Sequence, residues 1–397
     1  MTATAPSAIQ PGQEEISAAD LHALIQQPNN LFILDVRTAD EFEAWRIVGR
    51  HTPPTVNIPY TDFIEDQDAV IGNVPADRPV VIVCAIGAAS NLVAAVLDEH
   101  GRHGVELIRG MEAWGNYYAR RTIASTDSYA IVQIDRPARG CLSYVLIAGG
   151  QAAVIDPARH INQYLNLFVE RGVRLSLILD THAHADHISG GPALADAAGA
   201  PYYLHPYDAI HPFDMLPAQL SYVMLSDGNT FTLGDLTIET IHVPGHTLGQ
   251  VNYLTTASDG ESFLFTGDNL FIESFGRPDL GGQGRRWAPI VYETIFERIK
   301  GRVADEVWML PGHYSRPDEA NAAGAFVKRM GAVWRENRDL QYNDRDVFIA
   351  YVLSHLPRLP DEYVEIKRVN IGLSRPTDKH AFELELGKNI CALSSAY

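Results

Sequence analysis

THAHADH, Thr181 to His187, sets three histidines and an aspartate within seven residues. A solvated loop has no need of so many imidazoles, and a buried one must give each of them a partner. Directly before it stands LSLIL (Leu175–Leu179), an apolar run that reads as a buried strand. The histidines are therefore presented at the rigid end of a strand, where one metal ion can satisfy several at once.

The pattern recurs downstream. Later strand-like stretches end in PGH (His246), TGD (Asp268) and again PGH (His313), each beside small residues. The candidate ligands are thus His182, His184, Asp186, His187, His246, Asp268 and His313, a set whose imidazole and carboxylate donors suit zinc or iron among other metals. His205 and His211 stand apart from it and read as hydrogen-bonded structural residues.

The chain of 397 residues is long for one hydrophobic core, so two domains are expected. A hydrophobic content of 46% and a charged content of 20% are those of a soluble globular protein. A net charge of −18 excludes a nucleic-acid binder, which needs a basic footprint. The opening residues, through Ser17, lack the basic start and apolar block of a secretory signal and read as a mobile tail. The charge-free run Pro79–Leu97 contains Gly87, Ser90 and Asn91, so it reads as strand, loop and helix; no membrane span is expected. Three cysteines cannot build a disulfide framework, and a reducing cytoplasm is the expected location.

Two blocks follow along the chain. Residues 14–122 alternate buried-strand runs (LFILDV, PVVIVC) with helical spacing (NLVAAVLDEHG), which predicts an α/β sheet domain. STDS, Ser125–Ser128, reads as a linker. Residues 129–316 open with CLSYVLIAGGQAAVIDP, two strands joined at Gly149-Gly150. They continue with LTIETIHVPGH, SFLFTGD and the helical PIVYETIFERIK. Residues 317–397 form an extension of the second domain, helical over GAFVKRMGAVWRENRDL and closing in FELELG, whose alternation predicts a half-exposed strand.

Cys84 lies between the strand PVVIV and a helix beginning near Asn91. The loop CAIGAAS should set backbone N–H groups and a helix N-terminus around its sulfur, and both favour a thiolate. Cys141 starts a strand and reads as core. Cys391 near the C-terminus reads as a structural thiol, with relay of sulfur to the metal as its alternative.

The first block resembles rhodanese sulfurtransferases. LDVRTADEFEAWRIVG, NIPY and RGMEAWGNY accompany the CxxGxxS loop in the order of that family. The resemblance implies that Cys84 carries a persulfide and that Asp35 and Arg37 are structural. Ala85 and Ala89 stand where rhodaneses often carry arginines, which weakens the expected hold on thiosulfate and makes a persulfide or polysulfide an equal donor.

The second block resembles the metallo-β-lactamase fold, an αββα sandwich, over about Tyr129 to Arg316. FTGDNLFIESFGRPDLGG further resembles persulfide dioxygenases of the ethylmalonic-encephalopathy type. That family implies one Fe(II) per chain held by His182, His246 and Asp268, with positions left open for substrate sulfur and dioxygen. His184, Asp186, His187 and His313 would then orient ligands and water. In hydrolase relatives they bind a second metal, so two zinc ions or a mixed iron–zinc pair is the alternative. Arg277 is the candidate for a substrate carboxylate, with a structural role as its alternative. Tyr202 and Tyr203 either line the pocket or belong to the core.

The expected function is oxidation of glutathione persulfide, or another small persulfide, with O₂ and water to sulfite and glutathione, coupled to sulfur transfer through Cys84. Thiosulfate is a further donor. The alternatives are a binuclear thioester hydrolase of the glyoxalase II type and a non-catalytic persulfide carrier or sensor. The expected assembly is a homo-oligomer, first of all a dimer.

Overall fold

A computed structural model describes residues 8–387 and 390–393; residues 1–7 of the expected tail lie outside the described residues. The chain forms two compact units, one built mainly from residues up to Ala119 together with Arg136–Arg139, the other from Arg120–Asp135 and Gly140–Glu385.

The first unit is a five-stranded sheet in the order Glu15–Ile16, Gly104–Leu107, Val80–Val83, Phe32–Asp35, Thr55–Asn57, with every neighbouring pair parallel. Parallel strands are covered on both faces, which is why VVIV is apolar throughout and wholly buried. Leu21, Leu24, Ile33 and Trp114 pack on one face, Leu34, Phe63, Val93 and Leu97 on the other. The expected tail ends sooner than its composition suggests: Glu15–Ile16 pairs with the sheet edge, and the Ser17 side chain caps the helix Ala18–Ile25. Arg37 clasps the Asp35 carboxylate at 2.7 Å and donates to the carbonyls of Trp45 and Glu41. Both residues therefore tie the strand end to the segment that follows, a structural role.

The second unit contains a seven-stranded and a six-stranded sheet. Gly149 and Gly150, at φ 56° and 72°, make the tight turn that joins Cys141–Ala148 to Gln151–Ile155. One continuous apolar cluster joins the inner faces, from Tyr144, Leu146 and Ile155 to Ile238, Tyr253, Phe265 and Leu310. The helix Gly191–Ala198 packs on the first sheet, while Gly284–Tyr292 adds Ala288 and Val291 to the core from the side of the second. This is the αββα layering that the resemblance to the metallo-β-lactamase fold implies. Among the described residues no helix is long and apolar enough to cross a membrane.

Three local readings change. STDS makes a turn between the strands Ala119–Ser125 and Tyr129–Arg136, with the Thr126 hydroxyl accepting from the Ser128 and Tyr129 amides. FELELG is not a strand: Asp378–Leu384 is helical, capped by Thr377, and buries Ala381 and Leu384. The stretch expected to be one helix after Gly324 is a short strand, Lys328–Arg329, then the helix Met330–Glu336 and a 3₁₀ turn.

Candidate metal centre

The loop THAHADH leaves the strand Arg174–Leu179 and is held by carboxylates that carry no candidate ligand role in the sequence reading. Asp156, at φ 50°, accepts the Thr181 amide at 2.7 Å and its hydroxyl at 2.9 Å. Asp208 accepts the Ala183 amide, the Thr247 hydroxyl and the Gly249 amide, and so locks the histidine loop to the first PGH loop. Close backbone approach explains the small residues. A Cβ on Gly276 would lie 2.1 Å from the Asp268 carbonyl and 2.6 Å from His246 Nδ1, and one on Gly312 would lie 2.8 Å from Asp268 Oδ1.

Three buried donors converge in this frame. The Thr181 hydroxyl donates to Asp156, so its oxygen accepts from His182 Nδ1 at 2.9 Å. The Arg277 carbonyl accepts from His246 Nδ1, also at 2.9 Å. These bonds assign the tautomer and turn both Nε2 lone pairs inward. Inside, His182 Nε2 and His246 Nε2 lie 3.9 and 3.3 Å from Asp268 Oδ2. All three atoms are fully buried without a hydrogen-bond partner. Buried polar atoms are rarely left so, and ligands each about 2.1 Å from a common ion sit roughly 3.0–3.5 Å apart. The donor set fits a metal ion.

Electrostatics agree. Burial, helped by His184 and His246 nearby, holds His182 well below the usual imidazole range. Burial pushes His246 down to about 4 against the opposing pull of Asp268. Asp268 stays below the usual carboxylate range because His313 and His246 outweigh its burial. Neutral imidazoles and an ionised carboxylate are the protonation states that metal binding requires.

Of the remaining candidates, His184 groups with Asp156 and Asp180, its ring 4.2 Å from that of His182 and both its nitrogens buried without a hydrogen-bond partner. Its Nε2 is 3.2 Å from Asp156 Oδ1 without hydrogen-bond geometry. His313 spans two carboxylates, its Nδ1 at 2.6 Å from Asp268 Oδ1 and its Nε2 at 2.9 Å from Asp186 Oδ2. Burial opposes the charge on His313, yet Asp268 and Asp186 hold its pKa well above the usual value. His187 Nδ1 lies 3.1 Å from Asp186 Oδ1.

Cys141, expected in the core, belongs to this second group. Its sulfur donates to Asp186 Oδ2 at 3.4 Å and lies 3.7 Å from His187 Nδ1. The donors of Cys141, Asp186, His187 and His313 all lie within 4.8 Å of one another. A lone cysteine opening a strand gave no signal of this, since its partners stand some 45 residues away.

Arg277 does not face a substrate. It is fully buried and clasps Asp279 through Nε at 2.7 Å and Nη2 at 2.8 Å, while donating to the carbonyls of Pro357 and Ile390. Of the remaining residues, Tyr202 donates to Asp180 and Tyr203 packs on Phe231, both within the fold. His205 stacks on His242, and His211 bonds to the Val364 carbonyl and Asp214 amide. Cys391 is buried against Ala185, Leu280 and Tyr363, and burial pushes its thiol up.

In the first unit Cys84 ends the central strand, 3% exposed, and its sulfur accepts the Gly87 amide at 2.9 Å. Gly87, at φ 94°, makes the loop turn. Ser90 opens the helix Ser90–Glu99 and lies 3.7 Å from the sulfur.

Residues 17–117 match the rhodanese-like domain, and residues 136–313 match the metallo-beta-lactamase superfamily. An uncharacterized protein of Mycobacterium leprae is 33% identical over 196 residues, covering 44% of this chain and 86% of that protein. A hydroxyacylglutathione hydrolase of Anaeromyxobacter dehalogenans is 36% identical over 181 residues, 45% of this chain and 64% of that protein. A solved metallo-beta-lactamase structure from Staphylococcus aureus matches with a TM-score of 0.56 at 24% identity, over 63% of this chain and 74% of that one. The chain belongs to the metallo-beta-lactamase superfamily and carries a rhodanese-like domain ahead of that fold.

Proposed function

We propose that the chain is a persulfide dioxygenase with its own sulfurtransferase domain. Its reaction is glutathione persulfide plus O₂ and water to glutathione and sulfite, and one Fe(II) is held by His182, His246 and Asp268. The observation that carries this reading is the convergence of three unpartnered buried atoms, His182 Nε2, His246 Nε2 and Asp268 Oδ2. Two imidazoles and one carboxylate on a single face leave coordination positions open, which is the donor pattern of non-haem iron oxygenases. When bound, such an iron supplies a site for both sulfur and dioxygen.

The chain's own residues do the rest. The Arg277 carbonyl and Thr181 hydroxyl fix the two histidine rings. His313 holds Asp268 through Oδ1 and so leaves Oδ2 turned inward. In the rhodanese-like domain Cys84 attacks the outer sulfur of a donor and forms Cys84–S–SH, releasing the thiolate of an organic persulfide or, from thiosulfate, sulfite. A small thiol then takes that sulfur and becomes the substrate of the metal centre. Metal analysis of gently purified protein tests the reading, with near-unit iron as the expected result.

A second reading has its own support. Asp186, His187 and His313 lie close enough to hold a second ion with Asp268 beside them, and one relative is named for thioester hydrolysis of a glutathione conjugate. Two zinc ions per chain and hydrolysis of S-lactoylglutathione would favour it. The sulfurtransferase domain weighs against it, because thioester hydrolysis has no use for a sulfane-sulfur carrier.

A further inference from the structure

Beside the histidine loop the second unit carries an open cavity of about 570 Å³. Its walls are largely apolar, with Ile210, Met215, Pro244, Leu248, Trp287 and Ile290 among them. Polar groups interrupt this lining, among them the Asp208 carboxylate and two cations. Lys367, on the helix Glu362–Asn370, is 4% exposed, and its ammonium donates to the Ala183 carbonyl at 2.8 Å. Ala183 stands between His182 and His184, so the ammonium lies against the loop that carries the metal donors. Arg286 is exposed where it lines the cavity.

The partners of these cations are the informative part. An ammonium has three N–H donors, and among the described residues Lys367 has one hydrogen-bond acceptor and no carboxylate within ion-pair distance. Asp208 directs its carboxylate oxygens to the Ala183 and Gly249 amides and the Thr247 hydroxyl, and Asp186 directs its own to His187 and His313. Arg286 likewise makes no side-chain hydrogen bond or ion pair among the described residues. A buried ammonium with N–H donors left without acceptors is costly to keep, and at a cavity wall those donors can take an anion. An apolar lining that carries two cations fits an organic stem with more than one negative charge.

We propose that Lys367 and Arg286 are the anion-recognition groups of the substrate cavity. Lys367 takes the sulfur anion of the persulfide beside the histidine loop, and Arg286 takes a carboxylate. The inference rests on the persulfide reading above and deepens it, since it defines the substrate class as a persulfide whose organic part bears a carboxylate. It also moves the carboxylate contact from the enclosed Arg277 to the exposed Arg286.

Calorimetric titration of glutathione into the metal-loaded protein under argon tests it. Charge-assisted contacts of this kind carry enough energy that Lys367→Met should weaken binding roughly ten- to a hundredfold, with Lys367→Arg recovering most of it. Arg286→Ala should weaken glutathione binding severalfold but leave 2-mercaptoethanol, which has no carboxylate, unaffected. Metal content should be unchanged in every variant. Unaltered glutathione affinity in Arg286→Ala, an exposed position where folding is not at risk, would overturn the proposal, as would unaltered affinity in Lys367→Met. A wild-type protein that takes up no oxygen, while Lys367→Met loses glutathione binding, would overturn the dioxygenase reading and leave this anion site standing.

Discussion

The main-chain carbonyl of Arg277 accepts the Nδ1–H of His246 at 2.9 Å, and that one bond fixes which nitrogen of the ring faces the metal centre. The residue matters here through its backbone, and its side chain serves the backbone. The guanidinium clasps Asp279 and ties the carbonyls of Pro357 and Ile390 to the same segment. The GRPD segment therefore acts as a bracket for a ligand.

Arg277→Gln should accordingly destabilise the protein and lower its metal content together. Breaking a buried ion pair from one side costs about 3–5 kcal/mol. Thermal unfolding and iron content of the purified variant provide the check. A raised KM with unchanged melting temperature and full metal would instead make Arg277 a substrate contact.

Asp268→Ala should abolish metal binding, since it removes both a donor and the charge that offsets the ion. Asp186→Ala should be milder, because Asp186 supports the centre through His313; losses of such supporting contacts typically weaken metal affinity about 10–100-fold. Metal affinity of the two variants, measured by chelator competition, separates them. Complete loss of iron in Asp186→Ala would make that carboxylate a ligand.

Metal affinity should vary little between about pH 5.5 and 7.5. An imidazole binds a metal when neutral, above its pKa; an ordinary histidine starts to lose affinity near about pH 6.5. Burial holds His246 at about 4, so its affinity should fall only as the pH nears that value. The same depression has the opposite face in the metal-free protein. As pH drops from about 6.5 toward 4, the unfolded chain binds the proton that His246 refuses, and stability declines. A steep loss of metal affinity between about pH 7.5 and 6 would contradict the assignment of His246.

Cys84→Ser should leave oxidation of added glutathione persulfide nearly intact and eliminate oxygen uptake from thiosulfate plus glutathione. The serine keeps the place of a sulfur that accepts the Gly87 amide but cannot carry a persulfide. Because Ala85 and Ala89 offer no charge to a dianion, the wild-type thiosulfate reaction should need high substrate concentrations. Unchanged uptake from thiosulfate in the variant would remove the rhodanese-like domain from the pathway.

Much of the centre was legible because its donors follow apolar strands in short, glycine-bearing motifs, so THAHADH, PGH and TGD could be aligned by eye. Contacts made across the fold were not. Asp156 and Asp208 look like ordinary loop aspartates until Thr181 and Ala183 donate to them. An acidic residue directly before Pro157, after the run AAVI, was the one available hint for Asp156. Arg277 looked free because a sequence does not reveal that Pro357 and Ile390 close over it. Lys367 is a single lysine on a helix whose neighbours are charged, and only burial distinguishes it. FELELG misled because a short helix that buries Ala381 and Leu384 can also show period-two alternation.

Oxygen consumption by anaerobically iron-loaded protein, given glutathione persulfide, tests the central claim most directly. One O₂ should be consumed and one sulfite formed per persulfide, with uptake lost in Asp268→Ala. No oxygen uptake by protein holding two zinc ions per chain, together with hydrolysis of S-lactoylglutathione, would contradict it.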